Sequence, residues 1–458
     1  METEKRLAGF IAETGFADLP REANDSVKNI VLNFIGTTFA GATQEGCEAI
    51  IKQVKDWGGK AESTILVYGG KVPAHNAALA NAYMARALDV DDSMFPGMHV
   101  GASTVATALA ISEKIGGCSG KDFLTALVVG HETAARMNAV AEYDGFDPTG
   151  ISTVFGSAAT AGKLLKLNPE QMLNCLAIAF NRSAGSFQSN VDGTLAIRAI
   201  QGFSAQSGVI AAELARAGIT GPRNFIEGVY GFLHLYGRDK HTADEIINKL
   251  GEKYFFARNI VFKRHPSCAC TEGSTDAILS IMQEEGVTAG EIDRIDISVS
   301  PYAFKLVGHE FETGNNPRSA AQFNIKYCVA SALIRGRSSL KYFEIDQIKD
   351  PRITEMLSKI HTEADPTLEG NLPLHLKTDM KVKTRDEKFY ERVYDEPRGA
   401  PGNPLTREEL RECFYDYMEY SSHKVPTEDV ERIINLTEHL EEEGDVRSLT
   451  ALMTPGKP

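Results

Sequence analysis

Up to Pro266 the apolar residues of this chain recur at steps of three and four, whereas beyond it a stretch appears in which they alternate. A helix buries a face with a period of about 3.6 residues and a strand with a period of two, so this change constrains the fold more than any motif. In residues 27–40, Ile30, Val31, Phe34, Ile35 and Phe39 share one helix face. Ser119-Gly-Lys-Asp122 has the form of a capping box, and Phe123, Leu124, Leu127 and Val128 follow at helical spacing. Residues 172–180 and 205–217 read the same way. Small side chains crowd into Gly156-Ser-Ala-Ala-Thr-Ala-Gly162 and Ala211-Ala212, which predicts interior helices in close approach. No internal repeat is detectable.

After Pro266 the pattern predicts a helix over 271–285 and then a strand, in which Ile295, Ile297 and Val299 alternate with Asp296, Ser298 and Ser300. A helix is expected over 320–333. Met380-Lys-Val-Lys and Phe389-Tyr-Glu-Arg-Val-Tyr flank the polar Thr384-Arg-Asp-Glu-Lys388, the signature of a hairpin. The loop Pro397-Arg-Gly-Ala-Pro-Gly-Asn-Pro404 closes this region, and Thr406-Arg-Glu-Glu409 opens a return to helix. A further helix begins near Thr427 and carries Val430, Ile433, Ile434 and Leu440, with Glu441-Glu-Glu443 expected as solvated helix surface. The expectation is a mainly α chain. A large helical domain, 1–266 continued by 397–458, should enclose a smaller inserted α+β lid domain, 267–396. Apolar surface on like helical faces should favour a homodimer.

With 48 Lys and Arg against 62 Asp and Glu, the net charge is −14. Nucleic-acid binding draws on clustered basic charge, and no such cluster occurs, so nucleic acid is excluded as the main partner. The same sign argues against an anionic membrane surface, and no apolar run reaches the ~20 residues of a membrane span. The N-terminal Met-Glu-Thr-Glu-Lys-Arg-Leu lacks the apolar core of a signal peptide. Seven scattered cysteines do not form a disulfide framework, and reduced cytoplasmic thiols fit better. Cys268-Ala-Cys270 beside His265 has no second Cys/His pair at zinc-site spacing, so packed thiols are the expectation and no metal is assigned.

The densest chemistry lies in Leu88-Asp89-Val-Asp91-Asp92-Ser93-Met-Phe-Pro96-Gly97-Met-His99. Carboxylates packed this closely raise at least one pKa unless cations or donors answer them, which is how a general acid or base is tuned. The competing reading is a solvated loop whose aspartates cap the next helix. Asp89-Val-Asp91 superficially matches the nucleophile pair of haloacid-dehalogenase phosphatases, but that pair follows a buried strand, and the residues before Asp89 are strongly helical. Asp91-Asp92 lacks the third acidic residue of a magnesium-binding aspartate-rich motif. Gly156 to Lys163 fails as a phosphate loop, because Leu164 stands where Ser or Thr is required and no strand precedes it. No dinucleotide-binding glycine fingerprint follows a strand either.

The second segment is Val261-Phe-Lys263-Arg264-His265-Pro266-Ser267-Cys268, at the inferred domain junction. Lys263 and Arg264 there would suit a carboxylate ligand. A solvated basic turn is the alternative.

In their order and spacing, these segments resemble the MmgE/PrpD family. The marks are Asn81-Ala-Tyr-Met-Ala-Arg-Ala-Leu-Asp-Val-Asp-Asp92, Gly145-Phe-Asp-Pro-Thr-Gly150, Gly218-Ile-Thr-Gly-Pro-Arg-Asn-Phe-Ile-Glu-Gly-Val-Tyr-Gly-Phe232, Phe262-Lys-Arg-His-Pro-Ser267 and Gly402-Asn-Pro-Leu-Thr406. The resemblance implies a large helical domain with an α+β lid. It also implies proton transfer next to a carboxylate of a small polycarboxylate, without a redox cofactor. The family's activities include 2-methylcitrate dehydration, cis-aconitate decarboxylation and iminodisuccinate epimerisation. Carried over by position, Asp89, Ser93, His99 and Lys263 match active-site positions, and His99 and Lys263 are expected to meet between helical domain and lid. His99 is the expected proton carrier, with Asp89 or Asp91 orienting its ring. Lys263 and Arg198 are expected to stabilise enolate charge and, with Arg86, Ser93, Asp147, Arg264 and Ser267, to bind substrate. Arg86, Asp147, Ile197, Ile200 and Glu272 depart from the family pattern, and the loss of cations at the last four predicts weaker binding of a tricarboxylate.

Overall fold

The computed structural model describes residues 2–94, 97–314, 316–368 and 376–454. Phe95 and Pro96, within the Leu88–His99 segment, lie outside the described residues. The chain divides into two compact units, Met1–Ile260 with Tyr417–Pro458, and Val261–Asp416. The sequence pattern set these switches at 266 and 396. Hydrogen bonds, invisible to patterning, assign the basic segment to the second unit: Phe262 N donates to Gly399 O at 3.1 Å, and Gly399 N donates to Asn403 O at 2.8 Å.

The first unit is built on α1 (Arg21–Gly41), α2 (Ala74–Arg86), α3 (Gly101–Lys114), α4 (Gly120–Ala139), α5 (Pro148–Leu164) and α6 (Ala196–Arg216). Ser119 caps α4 by accepting from Asp122 N at 3.2 Å. All but one residue of α5 is buried, and it packs against α4 and α6, while α2 packs against α3 and α6. The small-residue segment explains how. A Cβ at Gly208 of α6 would fall 2.4 Å from the Ser157 Cβ, and one at Gly130 of α4 would fall 2.0 Å from Thr160 Oγ1. The backbones therefore approach at distances that only glycine allows. Thr427–Glu438 returns the chain to this unit with Val430, Ile433 and Ile434 buried, and it ends before Leu440, which is buried in the 3₁₀ turn Leu440–Glu442 that follows. Glu441, expected in solvent, is instead engaged: Lys28 Nζ reaches its Oε2 at 2.6 Å.

In the second unit, α7 (Ala269–Glu285) and α8 (Ile325–Arg335) accompany a four-stranded sheet of β1 (Ile292–Val299), β2 (Ile360–Ala364), β3 (Thr378–Thr384) and β4 (Phe389–Tyr394). The spatial order is β2-β1-β3-β4, with β1 and β2 parallel and the other pairs antiparallel. Ile292, Ile295, Ile297 and Val299 of β1 are fully buried. The expected single helix over 320–333 is two, because Asn324 interrupts it and caps α8 by accepting from Tyr327 N at 2.9 Å. Strand β2 had no alternating signal, since it is an edge strand whose His361, Thr362, Glu363 and Ala364 are all at least partly exposed. Thr406 and Glu409 form the expected capping box of helix Arg407–Tyr420, with Thr406 N donating to Glu409 Oε2 at 2.8 Å and Glu409 N to Thr406 Oγ1 at 3.2 Å. Among the described residues no helix is long and apolar enough to cross a membrane.

Candidate active site

The first unit gathers its titratable groups where α2 ends. Arg86 is the last residue of α2, and Asp89 leaves the helix with φ 58°, in the left-handed region that most side chains avoid. That reversal lets two carboxylates reach one cation. Arg86 Nη1 donates to Asp89 Oδ1 and, at 3.2 Å, to Asp91 Oδ1. Burial works against the Arg86 charge, but Asp89 and Asp91 outweigh it and hold the guanidinium above its ordinary pKa.

Met94 and Met98 pair their backbones in both directions, at 2.7 and 2.8 Å, and so turn the chain back on itself. The turn delivers His99 to the same group. Its Nδ1 lies 3.4 Å from Asp91 Oδ2 and its Nε2 lies 3.9 Å from Asp89 Oδ1. His99 is held on both sides of its backbone: its N–H donates to Thr149 Oγ1 at 3.1 Å, and its carbonyl accepts from Gln201 Nε2 at 2.6 Å. Asp147 caps α5 by accepting from Thr149 N at 2.8 Å and Gly150 N at 3.3 Å, which fixes Thr149 in turn. Burial raises the Asp147 carboxyl, and the charges of Arg86 and His99 oppose the rise, so Asp147 belongs electrostatically to this group.

Asp92 has a different task. Its carboxylate accepts from Val100 N at 3.3 Å and Gly101 N at 3.1 Å, closing the start of α3, while its own N–H donates to Asn33 Oδ1 at 3.1 Å. Burial and the neighbouring Asp91 charge push its carboxyl up to about 6. Asp89, Asp91 and His99 offer ligand atoms within 4.8 Å of one another, a spacing that suits a cation. Arg86 already donates to both carboxylates, so the chain supplies that cation itself.

The second unit holds the basic turn. Lys263 is buried, at 3% exposed. Arg264 faces acids instead, with Nη1 3.0 Å from Glu409 and Nη2 3.6 Å from Glu412. Ser267 Oγ and Thr271 Oγ1 are 2.7 Å apart. Glu272 accepts the backbone amides of Arg264 and His265, and His265 Nε2 lies 2.9 Å from Asp276 Oδ1.

The first unit thus brings together Arg86, Asp89, Asp91, His99 and Asp147 from the sequence expectations. Ser93 is buried in the short strand leading to the Met94–Met98 turn. Arg198, on the first turn of α6, donates to the Glu45 carbonyl and acts on Cys47 and Tyr83. Ile200, at a position where the family pattern has a cation, packs beside Gly150 and Gly185. Sequence reasoning missed Thr149, Gln201 and Asn33. Thr149 belongs to the Gly145–Gly150 motif, which is its signal in the sequence, whereas nothing in the local sequence marks a Gln or Asn whose partner lies far along the chain.

The MmgE/PrpD N-terminal domain model matches residues 5–244, and the MmgE/PrpD C-terminal domain model matches residues 265–442. The chain is 26% identical over 472 aligned residues to a cis-aconitate decarboxylase-like protein of Aspergillus oryzae, covering 98% of this chain and 96% of that protein. It is 25% identical to human cis-aconitate decarboxylase over 451 residues, covering 94% and 90% of the two chains. Escherichia coli 2-methylcitrate dehydratase is 24% identical over 265 residues, or 54% of this chain and 51% of that enzyme. With both domain models matched in order, and with the fold mainly helical as the pattern required, this chain belongs to the MmgE/PrpD family.

Proposed function

We propose that the protein is a cofactor-independent lyase, dehydratase-like, that acts on a small hydroxy polycarboxylate by moving a proton next to a carboxylate. The observation that carries this reading is the His99 imidazole, set against Asp91 and Asp89, whose charges Arg86 balances. An imidazole exchanges a proton near neutral pH, and a carboxylate beside it fixes its orientation. In elimination, the carbon-bound proton passes to a base and the hydroxyl departs with a proton from an acid, leaving an alkene and water. His99 is assigned that acid, Asp89 and Asp91 its orientation, and Lys263 the stabilisation of enolate charge as the carbon–hydrogen bond breaks. Arg86, Ser93 and Asp147, with Arg198, Arg264 and Ser267, are assigned to substrate contact or its support.

A second reading, decarboxylation of a cis-aconitate-like acid, is favoured by one observation. The human cis-aconitate decarboxylase and the Aspergillus oryzae decarboxylase-like protein align along nearly the whole chain, and the Aspergillus terreus decarboxylase along three quarters of it, whereas the dehydratase aligns along about half. There, loss of carbon dioxide leaves a carbanion that takes up one proton. Incubation in heavy water with a panel of hydroxy polycarboxylates and cis-aconitate separates the readings. Dehydration gives a new alkene without gas, decarboxylation gives carbon dioxide and one deuterium in the product, and epimerisation gives deuterium exchange alone. A panel unchanged in every respect overturns the enzymatic reading and leaves a ligand-binding protein.

A homodimer belongs to the same proposal. Exposed Phe203 and Leu214 on α6, with exposed Val229 and Tyr230, support it. Sedimentation velocity showing a monomer at micromolar concentration overturns it.

A further inference from the structure

The three arginines assigned to the substrate or its support are each engaged inside their own unit. Arg86 Nη1 donates to Asp89 Oδ1 and, at 3.2 Å, to Asp91 Oδ1. Arg198 Nη1 donates to the Glu45 carbonyl. Arg264 Nη1 lies 3.0 Å from Glu409 Oε1, and its Nη2 lies 3.6 Å from Glu412 Oε2. The His99 imidazole, in turn, stands among acids. Asp91 Oδ2 lies 3.4 Å from Nδ1, and Asp89 Oδ1 lies 3.9 Å from Nε2. Asp92 reaches the amide of Val100, the residue after His99, at 3.3 Å. Asp147 accepts from Thr149 N at 2.8 Å, and Thr149 Oγ1 accepts from His99 N at 3.1 Å. Four carboxylates therefore surround one guanidinium and one imidazole. The capping amides of α3 and α5 offset part of their charge, but an amide already bonded to a carboxylate has no hydrogen left for a ligand. Beside Asp147 the wall is apolar, where Ile200 packs against Gly150 and Gly185.

We propose that the His99 site takes a 3-hydroxy dicarboxylate whose hydroxyl-bearing carbon carries no carboxylate, a ligand of the 3-hydroxyglutarate kind rather than the citrate kind. This rests on the reading that His99 gives a proton to the leaving hydroxyl. A hydroxyl within hydrogen-bond reach of Nε2 places a carboxylate on the same carbon within about 6 Å of Asp89, where like charges repel in a buried site. A hydrogen at that position meets no such repulsion. Offsetting the repulsion takes a cation, and the three arginines already have acids or a carbonyl to hold. The terminal carboxylates stand one carbon farther from the hydroxyl, and Lys263 is the cation assigned to the one next to the proton that leaves. The reaction is then a plain elimination. The carbon–hydrogen bond next to that carboxylate and the carbon–oxygen bond both break, and a carbon–carbon double bond forms between them. The carbon-bound proton passes to a base, and the oxygen departs as water with the His99 proton, so no oxidant or reductant takes part.

Two pairs of compounds, each differing by one carboxylate on the central carbon, test this on the full chain. The first pair cannot eliminate water. Glutarate should stabilise the protein in thermal unfolding at matched ionic strength, and tricarballylate should need at least about tenfold more ligand for the same rise in Tm. Tricarballylate binding as well as glutarate overturns the proposal, and so does a Tm that glutarate leaves unmoved. The second pair reads turnover. The compound 3-hydroxyglutarate should give glutaconate, followed by its alkene absorbance, with kcat/KM at least about tenfold above that for citrate. Citrate turned over at an equal or higher kcat/KM overturns the proposal, as does carbon dioxide released from cis-aconitate. Turnover of neither, with glutarate still preferred, ends the dehydratase reading while the carboxylate limit on the ligand stands. Asp147→Asn separates charge from shape, since asparagine also caps a helix. Removing one negative charge should narrow the gap between tricarballylate and glutarate by about threefold or more. A gap unchanged in the folded variant overturns charge as its cause. If that variant does not fold, the wild-type pairs decide alone.

Discussion

His99 Nδ1 lies 3.4 Å from Asp91 Oδ2, while the other oxygen of that carboxylate accepts from Arg86 Nη1 at 3.2 Å. One buried aspartate is therefore hydrogen-bonded to a guanidinium through one oxygen and set against an imidazole through the other. Four expectations follow from that relationship and from the packing around it.

His99→Ala should lower turnover on whichever substrate the heavy-water panel identifies by roughly 10²- to 10⁴-fold, the usual size of a positioned acid–base contribution. The loss should fall on kcat, because the imidazole is assigned to proton transfer. Near wild-type kcat in this variant would remove the histidine from the mechanism, whatever the geometry.

Asp91→Ala should destabilise the protein. It leaves Arg86 hydrogen-bonded to Asp89 and in the field of Asp147, and stripping one partner from a buried charged group costs about 3–5 kcal/mol. Since Asp89 remains, the lower end is expected, about 3 kcal/mol, read from urea unfolding. A loss below about 1 kcal/mol would mean that the Arg86 pairing contributes little to folding.

Asp92→Asn should change how stability varies with pH. The Asp92 carboxyl is raised from 3.8 to about 6 in the fold. The folded state therefore binds this proton more tightly, and the stabilisation is complete below 3.8 and lost as pH rises through 6. Two pH units correspond to about 3 kcal/mol. Wild type should lose roughly that much against the non-titrating variant across this window, in unfolding curves collected at several pH values. Parallel profiles for the two proteins would show that Asp92 titrates normally.

Gly208→Ala should test the close packing of α5 and α6. The new methyl would meet the Ser157 Cβ at 2.4 Å, so the helices must part. Overpacking of this kind costs about 1–3 kcal/mol. Unchanged stability in denaturant would show that the contact yields without strain.

Much of this was legible before any coordinates. Ile30, Phe34 and Phe39 could be assigned to a buried face because helical spacing is a local property, and all three are buried. Asp89, Asp91 and His99 drew attention because charged groups this dense need answering. Strand β2 was not legible, since an edge strand with an exposed, polar sequence carries no alternating signal. Nor was the break at Asn324, where one side chain closes a new helix inside an apolar run.

Local spacing by itself determined the helices, the hairpin and the capping boxes, because the interactions that form them span only a few residues. The resemblance to the family, carried by whole motifs, marked Arg86 and Asp147 as departures from its pattern. Tertiary structure alone decided what those departures do. Arg86 became the cation that two aspartates share, Asp147 the cap that holds Thr149 under His99, and Glu272 the acceptor for the amides beyond Lys263. The physical reason is that a buried charge is specified by whatever surrounds it. Gln201 reaches the His99 carbonyl, and Asn33 reaches Asp92, only after folding brings distant segments of chain together.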